Sequence, residues 1–425
     1  MFNPRRIYTV VLWLLLPYIF FHLFWRARKQ PEYLQHIAER FGFYNLRSNK
    51  PVIWLHTVSV GETRAAASLV KRLQENYPGH QLLLTHTTPT GRAASEQLYG
   101  ADVLRVYLPY DYPFAVKRFL AHFRPRIGIL LETEIWFNLI YTCHAEKTPL
   151  LLLNARLSDK SARRYARYPN LTRSGLRHLN VIAAQSEADA ERLTTLGADN
   201  ISIMGNLKFD IEPPPMMLAL GAQLRSQFGQ DRKVFLAAST RAGEEALLLD
   251  ALKLVDIPHL LTVIVPRHPQ RFDEIAALLT QQNIRFQRRS QNRAVGPDIQ
   301  VLLGDSMGEM FAYYVACDLA FIGGSLLPFG GQNFIEACAV GKPVLIGPHT
   351  YNFAQASQLA VESGAAVRVQ DAAELTHYLQ SLLAHPDQLK QMSQSGLHFV
   401  STHRGASARA LIHIAKFVES TSDMV

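Results

Sequence analysis

The sequence predicts an α/β protein made of two parallel-sheet domains, and three observations predict it. Short runs that are apolar throughout alternate with mixed segments of helix length, as strands buried on both faces beneath helices do. The alternation stops once, at NLKFDIEPPPMMLAL, because three consecutive prolines fit neither a helix interior nor a central strand. It then restarts. The length of 425 residues suits two such domains of roughly 200 residues each.

From about Pro51, PVIWLHT reads as the first strand and TRAAASLVKRLQENYPG as the helix after it. QLLLTHT, VLRVYLP, RIGILLE, LLLLNAR, NVIAAQ and ISIMGN continue the strands, with GRAASEQLYG and DYPFAVKRFLAHF among the intervening helices. Beyond the prolines KVFLAAST, LTVIVPRHP, NIRFQ, VLLGDS, CDLAFIGGS, GKPVLIG and AAVRVQ read as strands. Residues 243–255 and QRFDEIAALLTQQ read as helices, with more at the carboxyl end. In open sheets of this kind ligands bind outside the carboxyl ends of the strands, so the chemistry belongs in the loops that follow them.

Composition narrows the function classes. With 48% hydrophobic and 19% charged residues, the chain is not a disordered tail. Its 44 Lys and Arg against 35 Asp and Glu leave +9, which suits a phosphorylated metabolite, an anionic membrane or nucleic acid. The basic residues are spread out with no zinc-finger or RNP pattern, which disfavours nucleic acid. Cys143, Cys317 and Cys338 stand far apart without C-x-x-C spacing, which argues against a disulfide scaffold and fits a reducing compartment.

One segment departs from this average. Residues 7–25, IYTVVLWLLLPYIFFHLFW, follow Arg5 and Arg6 and precede Arg26, Arg28 and Lys29. As one helix they rise roughly 28 Å, close to the thickness of a bilayer core. A cleaved signal peptide would be shorter and end in small residues, whereas this stretch ends in aromatics and arginines. It reads as membrane attachment. Pro17, His22 and the charge on both flanks leave spanning and lying in the interface both open. The following PEYLQHIAERFGFY reads as a basic amphipathic helix.

HTVSVGET, residues 56–63, joins the first body strand to its helix. Gly61 suits a tight turn, and Glu62 falls at the helix start, where free N–H groups favour a carboxylate. Glu62 is either a helix cap or a general base held on a strand-end loop, with His56 and Ser59 as lesser candidates. THTTPTGR, residues 85–92, sets hydroxyls, a glycine and Arg92 ahead of a helix. That is a nest for phosphate or carboxylate without the P-loop pattern. LLETEIWFN places Glu132 and Glu134 at a strand end, on one face if strand geometry continues. No His or further acid stands at metal-site spacing beside them, and no metal is assigned.

In the second half, AASTRAGEE offers Ser239, Thr240 and Arg241 before a helix whose first turn carries Glu244 and Glu245. VPRHPQR displays Arg267 and His268 between Pro266 and Pro269, and GDSMGEM supplies Gly304, Ser306, Met307 and Glu309. GGSLLPFGGQNFIEA runs glycine pairs into a helix bearing Asn333 and Glu336, i and i+3 on one face. A glycine-rich loop at a helix amino terminus is an anion cradle, and a carboxylate just beyond can accept from ribose hydroxyls. Four such loops at corresponding strand ends indicate a nucleotide site, though G-x-G-x-x-G is absent.

In order along the chain, HTVSVGE, TTPTGR, the LPYD of residues 108–111, ETEIWFN, NARLS, GNLKFD, PRHP, GDSMGE and GGS…GGQN…E resemble the bacterial 3-deoxy-D-manno-octulosonate (Kdo) transferases. The resemblance covers nearly the whole chain, apolar amino terminus included. It implies a GT-B glycosyltransferase, with two Rossmann-like domains, a facing cleft and a membrane-anchor helix. Residues 1–30 would be the anchor and basic flank, 31–207 the acceptor-binding domain and 208–425 the donor-binding domain. It also implies inverting, metal-independent transfer from CMP-Kdo, a donor substrate rather than a cofactor, to a lipid A precursor of the lipid IVA type. The setting implied is the cytoplasmic face of the bacterial inner membrane, with its anionic surface as a further partner.

By the same resemblance Glu62 is the base, and Ser59, Gly61, Thr90 and Arg92 face the acceptor. Ser239, Thr240, Arg241, Pro266, Arg267, Gly304, Met307, Glu309, Asn333 and Glu336 would bind the donor. Two positions depart from the family pattern. Gln332 stands where many members carry histidine, and glutamine cannot become a cation. Phe334 stands where a proline is expected. Two other readings compete. One is a GT-B-like enzyme of different donor or a nucleotide-sugar epimerase, which has no need of the membrane segment. The other is a nonenzymatic membrane-bound nucleotide-binding protein in which Glu62 only caps a helix.

Overall fold

Strands that are apolar along their whole length need cover on both faces, and each of the two sheets has it. The computed structural model describes residues 4–28 and 30–419, so Lys29 of the basic flank lies outside the described residues. The chain divides into two compact units, Met1–Asp210 with Arg404–Val425, and Ile211–His403.

The first unit carries β1 (Val52–His56), β2 (Gln81–His86), β3 (Leu104–Tyr107), β4 (Ile127–Leu131), β5 (Leu150–Ala155), β6 (Val181–Ala184) and β7 (Ile201–Ile203). All pair in parallel, in the order β3-β2-β1-β4-β5-β6-β7. Alternation along β1 divides the core. Val52 and Trp54 face one side with Phe119, Phe123 and Ile140, while Ile53 and Leu55 face the other with Leu69, Val70 and Leu73. Gly128 in β4 makes room for the indole, since a Cβ there would stand 2.5 Å from the Trp54 ring.

The helix Ala406–Val418 closes the second face. Ala406, Ala410, Ile414 and Val418 recur every fourth residue and are buried in that core. Asp210 receives the Gly405 N–H at 2.7 Å and the Ser407 N–H as well, holding the start of this helix. The division therefore differs from the expected 31–207 and 208–425. The last helix belongs to the first unit, because its apolar stripe covers a sheet face that would otherwise meet water.

The amino-terminal apolar segment is not one helix. Pro4–Leu14 and Leu16–Ala27 meet at a bend of 49°, so no single described helix is long and apolar enough to cross a membrane, although the bent pair together passes that test. Pro17 explains the break, since it removes a helical N–H and its ring clashes with the preceding turn. The first helix is fastened to the unit along one side. Tyr8 donates to Asp111 at 2.8 Å, Arg5 and Thr9 both reach the Asn138 side-chain oxygen, and the Tyr112 hydroxyl reaches Leu12 O at 2.7 Å. Asp111 of LPYD also accepts from the N–H groups of Asn138 and Leu139, opening the helix Phe137–Ala145. PEYLQHIAERFGFY is two 3₁₀ turns, Pro31–Leu34 and Ile37–Phe41, rather than an amphipathic helix. His36 between them has φ of 55°, a left-handed conformation that stops an α-helix.

The second unit carries β8 (Val234–Thr240), β9 (Leu261–Pro266), β10 (Phe286–Arg288), β11 (Val301–Leu303), β12 (Leu319–Ile322), β13 (Val344–Ile346) and β14 (Ala366–Arg368). Their order is β10-β11-β9-β8-β12-β13-β14, again parallel. Strand order reverses beside the first strand of each sheet, between β1 and β4 and between β8 and β12. Those two points are where ligands bind in such sheets. The three cysteines are free and buried, and burial pushes each thiol up.

Adding a methyl at Gly128 must displace Trp54 or the strand. Gly128→Ala is expected to cost about 1–3 kcal/mol, read as a lower urea midpoint, and an unchanged midpoint would show that the indole is not confined there.

Candidate active site

β1 ends in the buried His56, and the chain then turns into the short helix Val60–Ala65 with Ser59 as its N-cap. Glu62 in the first turn folds back over this start. Its carboxylate accepts from Val58 N–H at 2.8 Å and from the Ser59 hydroxyl at 2.8 Å. Burial pushes Glu62 up to about 7, and the charges of Glu132 and Glu134 add to the rise against those two hydrogen bonds. Glu62 thus does cap its helix, yet it keeps unused lone pairs.

Glu132 and Glu134 arrive from the end of β4, across the switch point from β1. They do not continue the strand as expected, because Glu132 takes a left-handed φ of 61° just past Leu131. Such strain in a non-glycine residue persists only where the surroundings hold it. Lys208 stands 3.7 Å from the Glu132 carboxylate. It is placed by two of the motifs: Asn206 accepts from the Lys208 N–H, and the Asn154 side chain accepts from the Leu207 N–H. Burial pushes the Glu134 carboxyl up, against a hydrogen bond from the Trp136 indole.

The second loop is sewn to the first by a residue that spacing did not single out. Thr88 caps the helix Pro89–Tyr99 through Gly91 N–H and donates its hydroxyl to Val58 O at 2.9 Å. Gly91 allows the approach, since a Cβ there would lie 2.9 Å from Val58 O. The glycine demand expected at Gly61 therefore sits at Gly91, and Gly61 is an exposed helical residue where a Cβ would make only an ordinary contact with Ser59 Oγ. Thr90 is exposed. Arg92 is not presented as an anion receptor. Its guanidinium binds Glu39 at 2.7 Å, and the same carboxylate oxygen accepts from Tyr107 N–H. A cavity of ≈ 260 Å³ beside this loop is lined by Tyr18, His22, Arg26, Arg40, Thr88 and Trp136 among others. Arg40 was hidden in a segment read as an amphipathic helix.

In the second unit, Ser239 has φ of 58° at a register shift between β8 and β9, which turns the chain out of the sheet before Arg241. Thr240 points inward, its hydroxyl 2.7 Å from Glu245, which Arg271 grips with both nitrogens. Arg241 lies over the Phe329 ring at 4.7 Å. Arg267 follows the buried Pro266 and donates through Nε to Gln332 Oε1 at 3.2 Å. Gln332 thus meets an arginine as a neutral acceptor, where a protonated histidine would repel it. His268 is pushed down by burial and by the charges of Arg241, Arg267 and Arg271, which marks the cationic locus of this sheet edge.

The glycine loop after β12 differs from an open N–H cradle. Gly323 N–H donates to Ala238 O, Gly331 N–H to Gly324 O, and Gln332 N–H to Gly323 O. Glu244, fully buried, accepts from the N–H groups of Gly324, Leu326 and Leu327 and of Arg241. These amides shape the loop instead of binding an anion, and Glu244 is the residue that spacing alone undervalued. The helix beyond spans only Ile335–Ala339, so Asn333 precedes it, though its amide still orients Glu336 at 2.9 Å. Phe334 is buried and packs on Phe399 and Phe353. Gly304 is crowded by Val265 and Tyr313, and Met307 is exposed. Ser306 joins Glu309 to Tyr313, and Glu309 pairs with Arg289. Among the described residues no group of three or more His, Cys, Asp or Glu is placed to share a metal ion.

Residues 35–211 match the family described as 3-Deoxy-D-manno-octulosonic-acid transferase (kdotransferase), and residues 242–399 match Glycosyl transferases group 1. A 3-deoxy-D-manno-octulosonic acid transferase of Bordetella pertussis is 42% identical over 422 residues, 96% of this chain and 98% of that protein. The enzyme of the same description from Haemophilus influenzae is 36% identical over 422 residues, 98% of this chain and 99% of that one. A solved glycosyltransferase from Rickettsia africae shares the fold at 15% identity, with a TM-score of 0.57 over 88% of this chain and 100% of its own. Identity at the level of the first two, held along nearly their whole length, makes the chain a member of the 3-deoxy-D-manno-octulosonic acid (Kdo) transferase family.

Proposed function

We propose that the chain transfers Kdo from CMP-Kdo to a hydroxyl of a phosphorylated lipid A precursor, with inversion, and that Glu62 is the general base. One observation carries the base. The Glu62 carboxylate is fixed by Val58 N–H and the Ser59 hydroxyl beside the β1/β4 switch point, with its affinity for a proton brought to about 7. A base matched to the working pH is both sufficiently ionised and sufficiently basic. Cap and base are compatible roles here, because the two donors hold the carboxylate still without using all its lone pairs.

The acceptor oxygen attacks the anomeric carbon of Kdo from the face opposite CMP. Glu62 takes its proton, the bond from that carbon to the CMP phosphate breaks, and its electron pair leaves with the phosphate. Charge developing there is met by Arg241 and Arg267 at the ends of β8 and β9, each held by its own contact within the second unit. The ribose hydroxyls fall to Glu336, which Asn333 orients. The reading does not call on a metal.

The acceptor is an amphiphile, and the helix pair suits its membrane. Leu14 is 75% exposed and Phe21 69%, with Phe24 and Trp25 also outward. One side of the first helix is fastened to the unit through Arg5, Tyr8 and Thr9. That combination supports the reading that the pair lies in the interface of the cytoplasmic leaflet of the inner membrane, with arginines at both ends toward anionic headgroups. Arg26, in the cavity next to Thr88, takes the part of a phosphate cation in place of Arg92.

Glu62→Gln is expected to lower kcat/KM about 10²–10⁴-fold while leaving CMP affinity unchanged. Near-normal transfer by that variant would remove Glu62 as the base. Protonated Glu62 cannot accept a proton, so kcat/KM of the unaltered protein falls tenfold per pH unit below about 7. A flat profile down to pH 5.5 would contradict the assignment. Incubation with CMP-Kdo and a tetraacylated disaccharide bisphosphate in a chelator is expected to give a lipid heavier by one or more Kdo units. A strict need for a divalent ion at this step would overturn the charge assignment to Arg241 and Arg267.

A further inference from the structure

The basic residues are spread along the chain, but the excess of charge is not. Residues 1–30 hold five Lys and Arg and no acid, and residues 159–173 hold five against the single Asp159. These two segments carry the whole +9, and the rest of the chain balances. They also adjoin in the first unit. Tyr8 of the helix Pro4–Leu14 meets Phe137 edge-to-face at 5.4 Å, and Phe137 meets Tyr165 of the helix Asp159–Ala166 at 6.4 Å. Arg5 lies over the Tyr141 ring, whose hydroxyl donates to Ser174 of the helix Pro169–Arg177 at 2.6 Å. The helix Asp159–Ala166 packs Ala162 and Tyr165 on the core and leaves Lys160, Arg163, Arg164 and Arg167 exposed. Those four stand at i, i+3, i+4 and i+7, which makes one stripe of a single sign. Asp159 does not offset it, being held by Arg192 at 2.5 Å. Among the described residues no carboxylate pairs with Arg163, Arg164 or Arg167. Like charges at this spacing weaken a helix, and the repulsion is relieved by anions from outside the chain.

We infer that this stripe is a second membrane contact, which sets Lys160, Arg163, Arg164 and Arg167 on the anionic phospholipid headgroups of the bilayer beside the apolar helix pair. The inference rests on the interfacial placement of that pair and extends it to a helix far away in sequence. Cations strung along an exposed helix suit many headgroups spread over a surface, whereas a single phosphate needs donors converging in a pocket. None of the four lines the cavity beside Thr88. Tyr168 follows the stripe and is 67% exposed, and a ring with a polar tip suits the headgroup level. Charge complements insertion here. One modest apolar anchor binds a membrane reversibly, and a polybasic patch beside it makes attachment firm.

The test is sedimentation of the full chain with lipid vesicles, with Arg163, Arg164 and Arg167 replaced together by serine. On vesicles of phosphatidylglycerol and phosphatidylcholine, partitioning is expected to fall about 100-fold, at roughly five-fold for each arginine near an anionic surface. On pure phosphatidylcholine it is expected to stay the same, and added salt is expected to shrink the difference. Replacing the same three by lysine keeps the charge and is expected to keep the binding. Transfer to a deacylated, water-soluble acceptor is expected to be unaffected by the serines. Unchanged partitioning on the anionic vesicles would overturn the inference, as would a loss that lysine does not restore or an equal loss on pure phosphatidylcholine. Slower transfer to the soluble acceptor would also overturn it, by assigning the arginines to the acceptor's own phosphates. The placement of the helix pair is tested apart from this, by Leu14→Ser with Phe21→Ser, which is expected to weaken binding to both kinds of vesicle. Unchanged binding there would sink that placement, while the arginine variants still read the stripe.

Discussion

The backbone of Val58 is held at both its ends, and the arrangement of the first unit's sheet edge around Glu62 follows from it. Its N–H is taken by Glu62 and its carbonyl by Thr88. A single residue therefore locks the loop after β1 to the loop after β2, and the lock closes only because Gly91 carries no Cβ. The lock fixes Glu62 over the sheet without an ion pair. A carboxylate held by neutral donors in a partly dry site stays responsive to its proton, whereas a paired arginine would have pinned it in the charged form. Arg92, the cation of the THTTPTGR segment, is kept on Glu39.

The second unit uses a related device for a different end. Glu244 also sits in the first turn after the first strand of its sheet, and it also folds back onto backbone N–H groups. It takes four of them, three from the glycine loop after β12, and is sealed from water. That carboxylate has no capacity left for a substrate and works as a strut. Glu62 takes two donors and stays partly open.

How much of this was legible follows from what periodicity can carry. Every strand was readable, because a strand buried on both faces is apolar throughout and is bounded by polar loops. Glu62, Arg241 and Arg267 were readable because a strand end followed by a helix start confines a side chain to the sheet edge. The break at Pro17 was visible only as a proline, since the run on either side stays apolar. The partner of Arg92 was not legible, because Glu39 is 53 residues away and a pairing at that distance leaves no local pattern. The left-handed turn at Glu132 gave no signal either, for it is imposed by packing and not by a glycine. The N–H groups of the glycine loop were misjudged for the same reason, because Glu244 occupies them from 80 residues away.

The return of the helix Ala406–Val418 to the first unit has a bearing on how the protein is made. The first sheet leaves the ribosome early with the helix Ala67–Asn76 on one face, yet the rest of that face has no cover until Ala406–Val418 emerges. Part of the sheet that carries Glu62 is therefore bare in the nascent chain, and its core is completed only after the entire second unit has been synthesised. Loss of the helix Ala406–Val418 would be felt far back in the sequence, in the unit that holds Glu62.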